Sequence, residues 1–406
     1  MQHWAKSIAG LSLWVLTACA TTHTGTLQLV ETTPVGTVLG SPDLPETADV
    51  WREMIAGAKE TIELSHFYLV SDSSGLLSPI VTLIEEAAAR GVRVRFLVGE
   101  KFYSTYPELI DRFAENPDIQ LRRLNLAERT GGVQHSKYMV VDGEDVYVGS
   151  ANFDWRSLEH IQELGVRITS PGFARTLLDV FAYDWAMAGG EPIPAPVVRK
   201  QDRWVCLMDR DQMQPRFDRK VEIEAAFSPK DLLPNEATWD LPKLVELIDS
   251  AEYTLFLQVL TLDLVDRGGR HFQELEDALE RASERGVRIR VLVADWSDRA
   301  GVIEDLQQLA ALPKISIRMV SIPEHTSGHI PFARVIHAKY LVADRRIAWL
   351  GSSNWERGYF FESRNVGLIL RGDAFADRLE RFFRTNWGSP YVRDVLPVAA
   401  PTNQQP

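Results

Sequence analysis

Residues 132–158 read GVQHSKYMVVDGEDVYVGSANFDWRSL, and residues 333–360 read ARVIHAKYLVADRRIAWLGSSNWERGYF. Each stretch contains a His-x-Lys-x4-Asp spacing followed by Gly-Ser-x-Asn, with the asparagine 17 residues after the histidine. The matched residues are His135, Lys137, Asp142, Ser150 and Asn152 in the first stretch and His337, Lys339, Asp344, Ser352 and Asn354 in the second. Because chance does not repeat so detailed a spacing, the chain contains one unit used twice.

Sequence outside the motifs supports this duplication. AKETIELSHFYL at 58–69 matches AEYTLFLQVLTL at 251–262, and RGVRVRFLV at 90–98 matches RGVRIRVLV at 285–293. The offset between matched residues grows from 193 in the first pair to 202 at the histidines, as a few loop insertions would produce. Strand-like runs alternate with helical patterns, which is typical of α/β domains. We predict two tandem α/β domains, each a mixed or mostly parallel sheet flanked by helices.

Composition sets broad limits. The chain has 406 residues, of which 45% are hydrophobic and 25% charged, so it is long enough for two globular domains. The formal net charge of −12 provides no general attraction for a polyanion, so any phosphate grip must be local. The predicted organisation is a signal peptide at 1–19, a tether at 20–46, a first domain at 47–190, a linker at 191–216, a second domain at 217–392 and a flexible tail at 393–406.

The N-terminus resembles a bacterial lipoprotein signal. An apolar run from Ile8 to Leu16 is too short to span a bilayer and ends in Leu-Thr-Ala-Cys, which resembles a lipobox with Cys19 as the lipidated residue. Ala20 follows, where an aspartate would suggest inner-membrane retention, so we expect attachment to the outer membrane, facing the periplasm. A plain cleaved signal peptide is the alternative. The membrane is thus an expected partner, and no protein partner is predicted.

The paired motifs suit phosphodiester chemistry. Residues i and i+2 of a strand face the same way, so each histidine projects beside its lysine. The two lysines, with Asn152, Asn354, Ser150 and Ser352, are expected to hold the phosphate oxygens. One histidine can attack phosphorus and the other can protonate the leaving group and then activate water. The sequence contains none of the usual Cys and His spacings for a metal, and no cofactor is predicted.

The motif aspartates have two interpretations. Asp142 and Asp344 complete the His-Lys-Asp spacing and are assigned to the catalytic set. However, Asp142 has the opposite strand parity to His135 and falls at the predicted hairpin turn, Asp142-Gly143. This position favours a role in bracing the turn.

The twin motifs resemble the His-Lys-Asp signatures of the phospholipase D superfamily, over nearly all of residues 45–392. The resemblance implies two halves related by a pseudo-twofold axis, one shared active site and a covalent phosphohistidine. The strings GSANFDWRSL, IPFARVIHAKY and SSNWERGYF resemble the endolysosomal branch of animals and its poxvirus relatives, which implies 5′ exonuclease activity on single-stranded nucleic acid.

The resemblance also implies glutamates that orient the histidines. Glu163 lies 28 residues after His135 and fits this role for the first histidine. The in-register residue of the second half is Asn365, with Glu362 three positions earlier, so Glu362 is the predicted orienting residue there and Asn365 the alternative. Which histidine is the nucleophile stays open.

Three functions therefore compete. The first is a phosphodiesterase acting on single-stranded nucleic acid, and the second is a phospholipase or head-group transferase acting on membrane lipid. The third is an envelope scaffold without turnover, which the intact motifs in both halves argue against. Aromatic residues near the motifs could stack bases, contact acyl chains or belong to the core: Phe153, Trp155, Trp355, Tyr359 and Phe360.

Overall fold

A computed structural model describes residues 25–196, 203–266 and 269–397. The predicted signal peptide with Cys19, residues 20–24 of the tether, residues 197–202 of the linker and residues 398–406 of the tail lie outside the described residues. Among the helices of the described residues, none combines the length and the apolar character needed to cross a bilayer.

Twenty strands form along the described chain. They are β1 Gly25–Thr32, β2 Thr61–His66, β3 Leu69–Val70, β4 Arg93–Gly99, β5 Ile119–Leu124, β6 Tyr138–Val141, β7 Asp145–Gly149, β8 Phe153–Asp154, β9 Glu163–Thr169, β10 Arg203–Met208, β11 Lys220–Ser228, β12 Thr254–Val259, β13 Leu262–Asp263, β14 Arg288–Ala294, β15 Ile315–Val320, β16 Lys339–Ala343, β17 Ile347–Gly351, β18 Trp355–Glu356, β19 Asn365–Arg371 and β20 Val392–Val395.

Eleven α-helices of the described residues connect these strands. They are α1 Thr47–Gly57, α2 Leu77–Ala89, α3 Glu108–Glu115, α4 Ala127–Thr130, α5 Trp155–Glu159, α6 Pro171–Gly189, α7 Asp240–Asp249, α8 Gln273–Glu284, α9 Val302–Ala310, α10 Arg357–Phe361 and α11 Asp373–Trp387.

Sixteen of the strands form one continuous mixed sheet. Its order is β20-β15-β14-β12-β16-β17-β19-β11-β10-β1-β9-β7-β6-β2-β4-β5. Apart from β10 and the edge strand β20, the order read inward from β5 matches the order read inward from β15, so the halves are related by an approximate twofold. Strands β2, β4 and β5 are parallel, as are β12, β14 and β15. The predicted pair of tandem mixed α/β domains is confirmed.

The predicted tether at 20–46 is wrong for its described part. Residues 25–32 form β1, which pairs with β9 and β10 near the middle of the sheet, and Leu27, Leu29 and Val30 are buried. By position in the sheet, β1 is the counterpart of β11, so the first repeat begins at about residue 25. Its apolar residues are few and surrounded by Thr and Gly, and only pairing with the neighbouring strands makes them a core element.

The predicted linker and tail are also partly wrong. Residues 203–208 form β10, which lies between β1 and β11 and joins the two halves of the sheet. Cys206 and Met208 of this strand are fully buried. Residues 393–395 belong to β20, which pairs antiparallel with β15 at the sheet edge. Both segments are short, and their structure depends on strands distant in sequence.

Each motif forms a β-hairpin, β6-β7 and β16-β17, as predicted for the first. Asp142 and Asp344 occupy the turns in the left-handed region, with φ of 50° and 53°. The Asp142 carboxylate accepts hydrogen bonds from the backbone N–H groups of residues 59–61, and Asp344 accepts from those of residues 252–254. Both lie at the far end of the hairpin strand from the histidines, about 20 Å away. The catalytic assignment of the two aspartates is therefore wrong, and the bracing interpretation describes what they do.

Candidate active site

The two motifs meet because their histidine segments cross between the halves. The backbone N–H of His135 donates to the carbonyl of Arg364 at 2.8 Å, and the N–H of His337 donates to the carbonyl of Gln162 at 2.8 Å. Arg364 and Gln162 are the residues immediately before β19 and β9. Each histidine is thus fixed by backbone to the start of a strand in the other half.

This crossing exchanges the predicted orienting residues. Nδ1 of His337 lies 2.9 Å from both carboxylate oxygens of Glu163, so Glu163 orients the second histidine and not the first, as had been predicted. Nδ1 of His135 lies 2.9 Å from Oδ1 of Asn365. The Asn365 amide donates to the carbonyl of Tyr359 at 2.7 Å, which fixes Oδ1 toward the ring. In both histidines, Nε2 is left for the substrate.

The prediction that Glu362 orients a histidine is wrong. Asn365 occupies the orienting position, and the Glu362 backbone serves the crossing instead, since its carbonyl accepts from Thr130 Oγ1 at 2.6 Å. Its carboxylate contributes to a separate surface cavity of about 510 Å³ with Arg299 and Arg357.

The motif serines act on the orienting residues rather than on the substrate. Ser150 Oγ donates to Glu163 at 2.5 Å, and Ser352 Oγ donates to Oδ1 of Asn365 at 2.9 Å. Both serines are fully buried. The prediction that they bind phosphate is therefore wrong, because their hydroxyls are committed to groups beneath the histidines.

Both motif lysines are fully buried at the site. Lys137 Nζ donates to the carbonyl of His135 at 2.6 Å, whereas Lys339 Nζ has no hydrogen-bond acceptor among the described residues. Burial lowers the pKa of Lys339 to about 7, although the nearby Glu163 opposes this. Burial and the neighbouring Lys339 hold the pKa of Lys137 well below its ordinary value. A buried ammonium without an acceptor is costly unless an anion joins it.

The two histidines differ in charge environment. Burial, then Lys137 and Lys339, holds the pKa of His135 well below its ordinary value. Burial also lowers the pKa of His337, to about 4, but here the Glu163 carboxylate opposes the shift. Burial alone would raise the pKa of Glu163, but His337, Lys339 and Ser150 outweigh it and leave that pKa below its ordinary value. Glu163 is therefore an ionised partner of His337.

The motif asparagines face a cleft that both halves share. Asn152, Asn354 and the two histidines line a cavity of about 220 Å³. The Oδ1 atoms of both asparagines are buried without a partner among the described residues, and Asn152 Nδ2 lies 3.3 Å from the Tyr68 hydroxyl. Their amides are thus placed at the site, as the sequence predicted.

Aromatic rings that the sequence analysis missed form most of the cleft wall. Of the five aromatic residues near the motifs, only Tyr359 lines the cleft, whereas Phe153, Trp355 and Phe360 are fully buried in the core. The other aromatic lining residues are Phe67, Tyr68, Phe102, Tyr106, Trp296 and Phe332. One signal was available: Phe67 and Tyr68 directly follow β2, at the carboxyl end of a parallel strand, where α/β sheets bind ligands.

His135 itself stands between two of these rings. The ring centroids of Phe67 and Tyr359 each lie 4.8 Å from its own, both in edge-to-face geometry. These rings limit the rotation of the imidazole and keep water from its faces. Among the described residues, no group of three or more His, Cys, Asp or Glu side chains is arranged to hold a metal ion.

Comparison with known proteins agrees with this geometry. Residues 51–185 and 244–387 match the family model described as "Cardiolipin synthase, PLD-like domain". The chain is 28% identical over 384 residues to "Phospholipase D Z" of Dictyostelium discoideum, covering 90% of each protein. It is 30% identical over 408 residues to "5'-3' exonuclease PLD3" of Macaca fascicularis, covering 90% of this chain and 80% of that protein.

A solved structure shares the fold over most of the chain. The phosphatidylserine synthase of Haemophilus influenzae Rd KW20 superposes with a TM-score of 0.62 at 13% identity, covering 91% of this chain and 87% of that one. The family match covers both halves, and the crossed histidines show that the halves build one site. The chain therefore belongs to the phospholipase D-like superfamily, in the branch similar to the 5′-3′ exonucleases, and is a phosphodiesterase with two tandem domains.

Proposed function

We propose that this protein hydrolyses single-stranded nucleic acid from a 5′ end through a covalent phosphohistidine. One observation carries the phosphodiester chemistry: the buried Lys339 ammonium lacks an acceptor beside Lys137, His135 and His337. A phosphate in the cleft supplies the missing negative charge and hydrogen-bond acceptors. The amides of Asn152 and Asn354 complete the grip on its non-bridging oxygens.

His337 is the nucleophile in this proposal. Its Nδ1–H donates to the ionised Glu163, which leaves the Nε2 lone pair free to attack phosphorus. The carboxylate also stabilises the positive charge that the ring gains once the P–Nε2 bond forms. As that bond forms, the bond from phosphorus to the leaving oxygen breaks.

His135 is the general acid and base. Its Nδ1 partner is the neutral Asn365, which stabilises an imidazolium less than a carboxylate does, so Nε2–H is readily given to the leaving oxygen. The neutral His135 then takes a proton from water. The hydroxyl attacks phosphorus and the P–Nε2 bond to His337 breaks, which restores both rings.

The cleft favours nucleic acid as the substrate. Its wall is mainly aromatic, and aromatic rings bind single strands by stacking on their bases. At about 220 Å³ it is smaller than the roughly 300–1,000 Å³ pockets that enclose a whole drug-sized ligand, so it suits one base with its phosphate. The relatives named as 5′-3′ exonucleases support the same substrate and chain end.

The proposed lipid anchor supports a substrate away from the membrane. Thr32 pairs with Glu163 at the active-site end of β1, whereas Gly25 begins the strand at its other end, about 23 Å away. Cys19 precedes Gly25 by six residues, at most about 20 Å of extended chain. A lipid at Cys19 thus holds the outer membrane on the side opposite the cleft, which opens toward the periplasm. Cys19→Ala should then abolish lipid labelling and membrane association, and an unchanged membrane fraction would contradict the anchor.

A phospholipid head group is the second candidate. Trp296 and Phe332 are 41% and 65% exposed at the cleft mouth, where they could enter a bilayer surface. The deciding experiment incubates the purified chain with 5′-hydroxyl single-stranded oligonucleotides and, separately, with phosphatidylcholine, phosphatidylethanolamine and cardiolipin vesicles. We expect stepwise shortening of the oligonucleotide that His337→Ala abolishes. Head-group release without oligonucleotide cleavage would overturn the nuclease proposal.

A further inference from the structure

Phe332 has a costly setting for a large apolar residue. Its side chain is 65% exposed, and its φ of 60° lies in the left-handed region, which bulky side chains rarely adopt. Arg334, two residues later, has a φ of 58°. Such backbone persists only where the surroundings impose it, and it concentrates at ligand-binding sites.

The surroundings do impose this conformation. The Arg334 side chain donates to the carbonyls of Pro323 and Val35 at 2.7 and 2.8 Å, and its N–H donates to the carbonyl of His160 at 3.0 Å. Arg156 donates to the carbonyl of Pro331 at 3.0 Å. These bonds tie both flanks of Phe332 to the first half of the molecule.

The first half has no equivalent device. The loop from β15 to β16 contains 18 residues, 321–338, whereas the loop from β5 to β6 contains 13, residues 125–137. At the offset of the histidines, the counterpart of Phe332 is Thr130, whose hydroxyl is bound to the Glu362 carbonyl. The longer loop therefore adds an aromatic ring to one side of an otherwise paired site.

Phe332 faces the cleft across from the rings of the first half. It lines the cavity with Tyr68 and Tyr106, and the Trp296 ring meets it at 6.5 Å in edge-to-face geometry. The Arg156 guanidinium lies 5.9 Å from its centroid. An exposed ring held rigid over a cleft offers a planar ligand a stacking surface at little loss of conformational freedom.

We propose that Phe332 is a specificity-determining residue that stacks on the base of one nucleotide beside the scissile phosphate. This inference rests on the proposed nuclease function and deepens it. Because the first half lacks a counterpart, the base is seated on one side of the phosphate only, and the nucleotide across the scissile bond contributes mainly its backbone.

The test compares the unchanged protein with Phe332→Ala on oligonucleotides with one abasic residue at each of the first four positions from the 5′ end. On the intact oligonucleotide, Phe332→Ala should lower kcat/KM by about 5- to 150-fold, the loss of one base–aromatic stack. At a single position, removing the base should cost the unchanged protein a similar factor and cost Phe332→Ala nothing more. Phe332→Trp should retain most of the activity.

Tyr253→Ala is the matched control, since Tyr253 is 69% exposed and lies at the far end of its strand from the cleft. It should leave kcat/KM unchanged, and thermal midpoints should show that all variants fold. An equal loss for Phe332→Ala on every abasic oligonucleotide would overturn the base seat while leaving the nuclease proposal intact. No cleavage of any oligonucleotide would overturn the proposed function, and the seat with it.

Discussion

The two halves of this molecule hold equivalent histidines with unequal partners. His337 faces the carboxylate of Glu163, and His135 faces the neutral amide of Asn365 at the same 2.9 Å distance. A carboxylate stabilises a positive ring and an amide does so far less. Duplication has thus kept the geometry of the site while one substitution separates the two histidines into different chemical roles.

The crossing points show a similar difference. Arg364 is fully buried and forms a bidentate ion pair with Asp184 at 2.7 and 2.8 Å. Its counterpart Gln162 belongs to a neutral amide network with Gln258 and Asn386, at 2.7 and 3.0 Å. Both networks leave the crossing carbonyl aimed at a histidine N–H, so unlike side chains support the same backbone position.

The largest expected effect separates the two histidines. With a bis-nitrophenyl phosphate, His337→Ala should lower turnover by about 10⁴-fold or more, because no phosphoenzyme forms. His135→Ala should lower steady-state turnover by about 10²- to 10⁴-fold, yet release a burst of one nitrophenol per chain, since this leaving group needs no proton. Stopped-flow absorbance measures the burst, and ³²P-labelled substrate should leave acid-labile label on His337. A burst from His337→Ala and none from His135→Ala would reverse the roles.

Exchange of the orienting residues should give a smaller effect. Glu163→Gln keeps an acceptor for Nδ1 of His337 but removes the charge, so kcat should fall by about 10- to 100-fold. Asn365→Asp adds a charge beside His135, which raises the pKa of that ring and moves the alkaline limb of kcat/KM to higher pH. Profiles of kcat/KM against pH measure both changes. Equal losses for the two variants with unmoved limbs would contradict the asymmetry.

The pH profile of the unchanged protein follows from the two halves together. His337, with its pKa lowered by burial to about 4, must be neutral to attack, so kcat/KM should fall as the pH drops below about 4. Lys339, with its pKa lowered by burial to about 7, must be protonated to hold phosphate, so kcat/KM should fall as the pH rises above about 7. Lys339→Arg keeps its charge and should weaken the alkaline decline. A flat profile to pH 9 would contradict this role of Lys339.

The smallest effect on activity is expected at the hairpin turns. Asp142→Asn and Asp344→Asn retain an acceptor that tolerates the left-handed turn but remove the charge that three backbone N–H groups share. Each should lower the free energy of unfolding by about 1–2 kcal/mol, measured by urea denaturation, and leave kcat/KM nearly unchanged. A loss of activity comparable to that of His337→Ala would restore a catalytic role.

The amino-acid sequence alone determined the duplication, the motif residues and the hairpins. These features follow from local rules: side chains two residues apart share a strand face, and Asp142-Gly143 favours a tight turn. Strands β1, β10 and β20 were missed because each is short and takes its conformation from partners far away in the chain.

Only the tertiary structure decided which residue orients which histidine. Glu163 lies 28 residues after His135 whether it serves that ring or the other, so the spacing is silent about the crossing. The exchange arises where the segments before β9 and β19 pair with the opposite histidine segments, a contact between residues more than 170 positions apart. The aromatic cleft has the same origin, since its rings come from loops of both halves that only the closed sheet brings together.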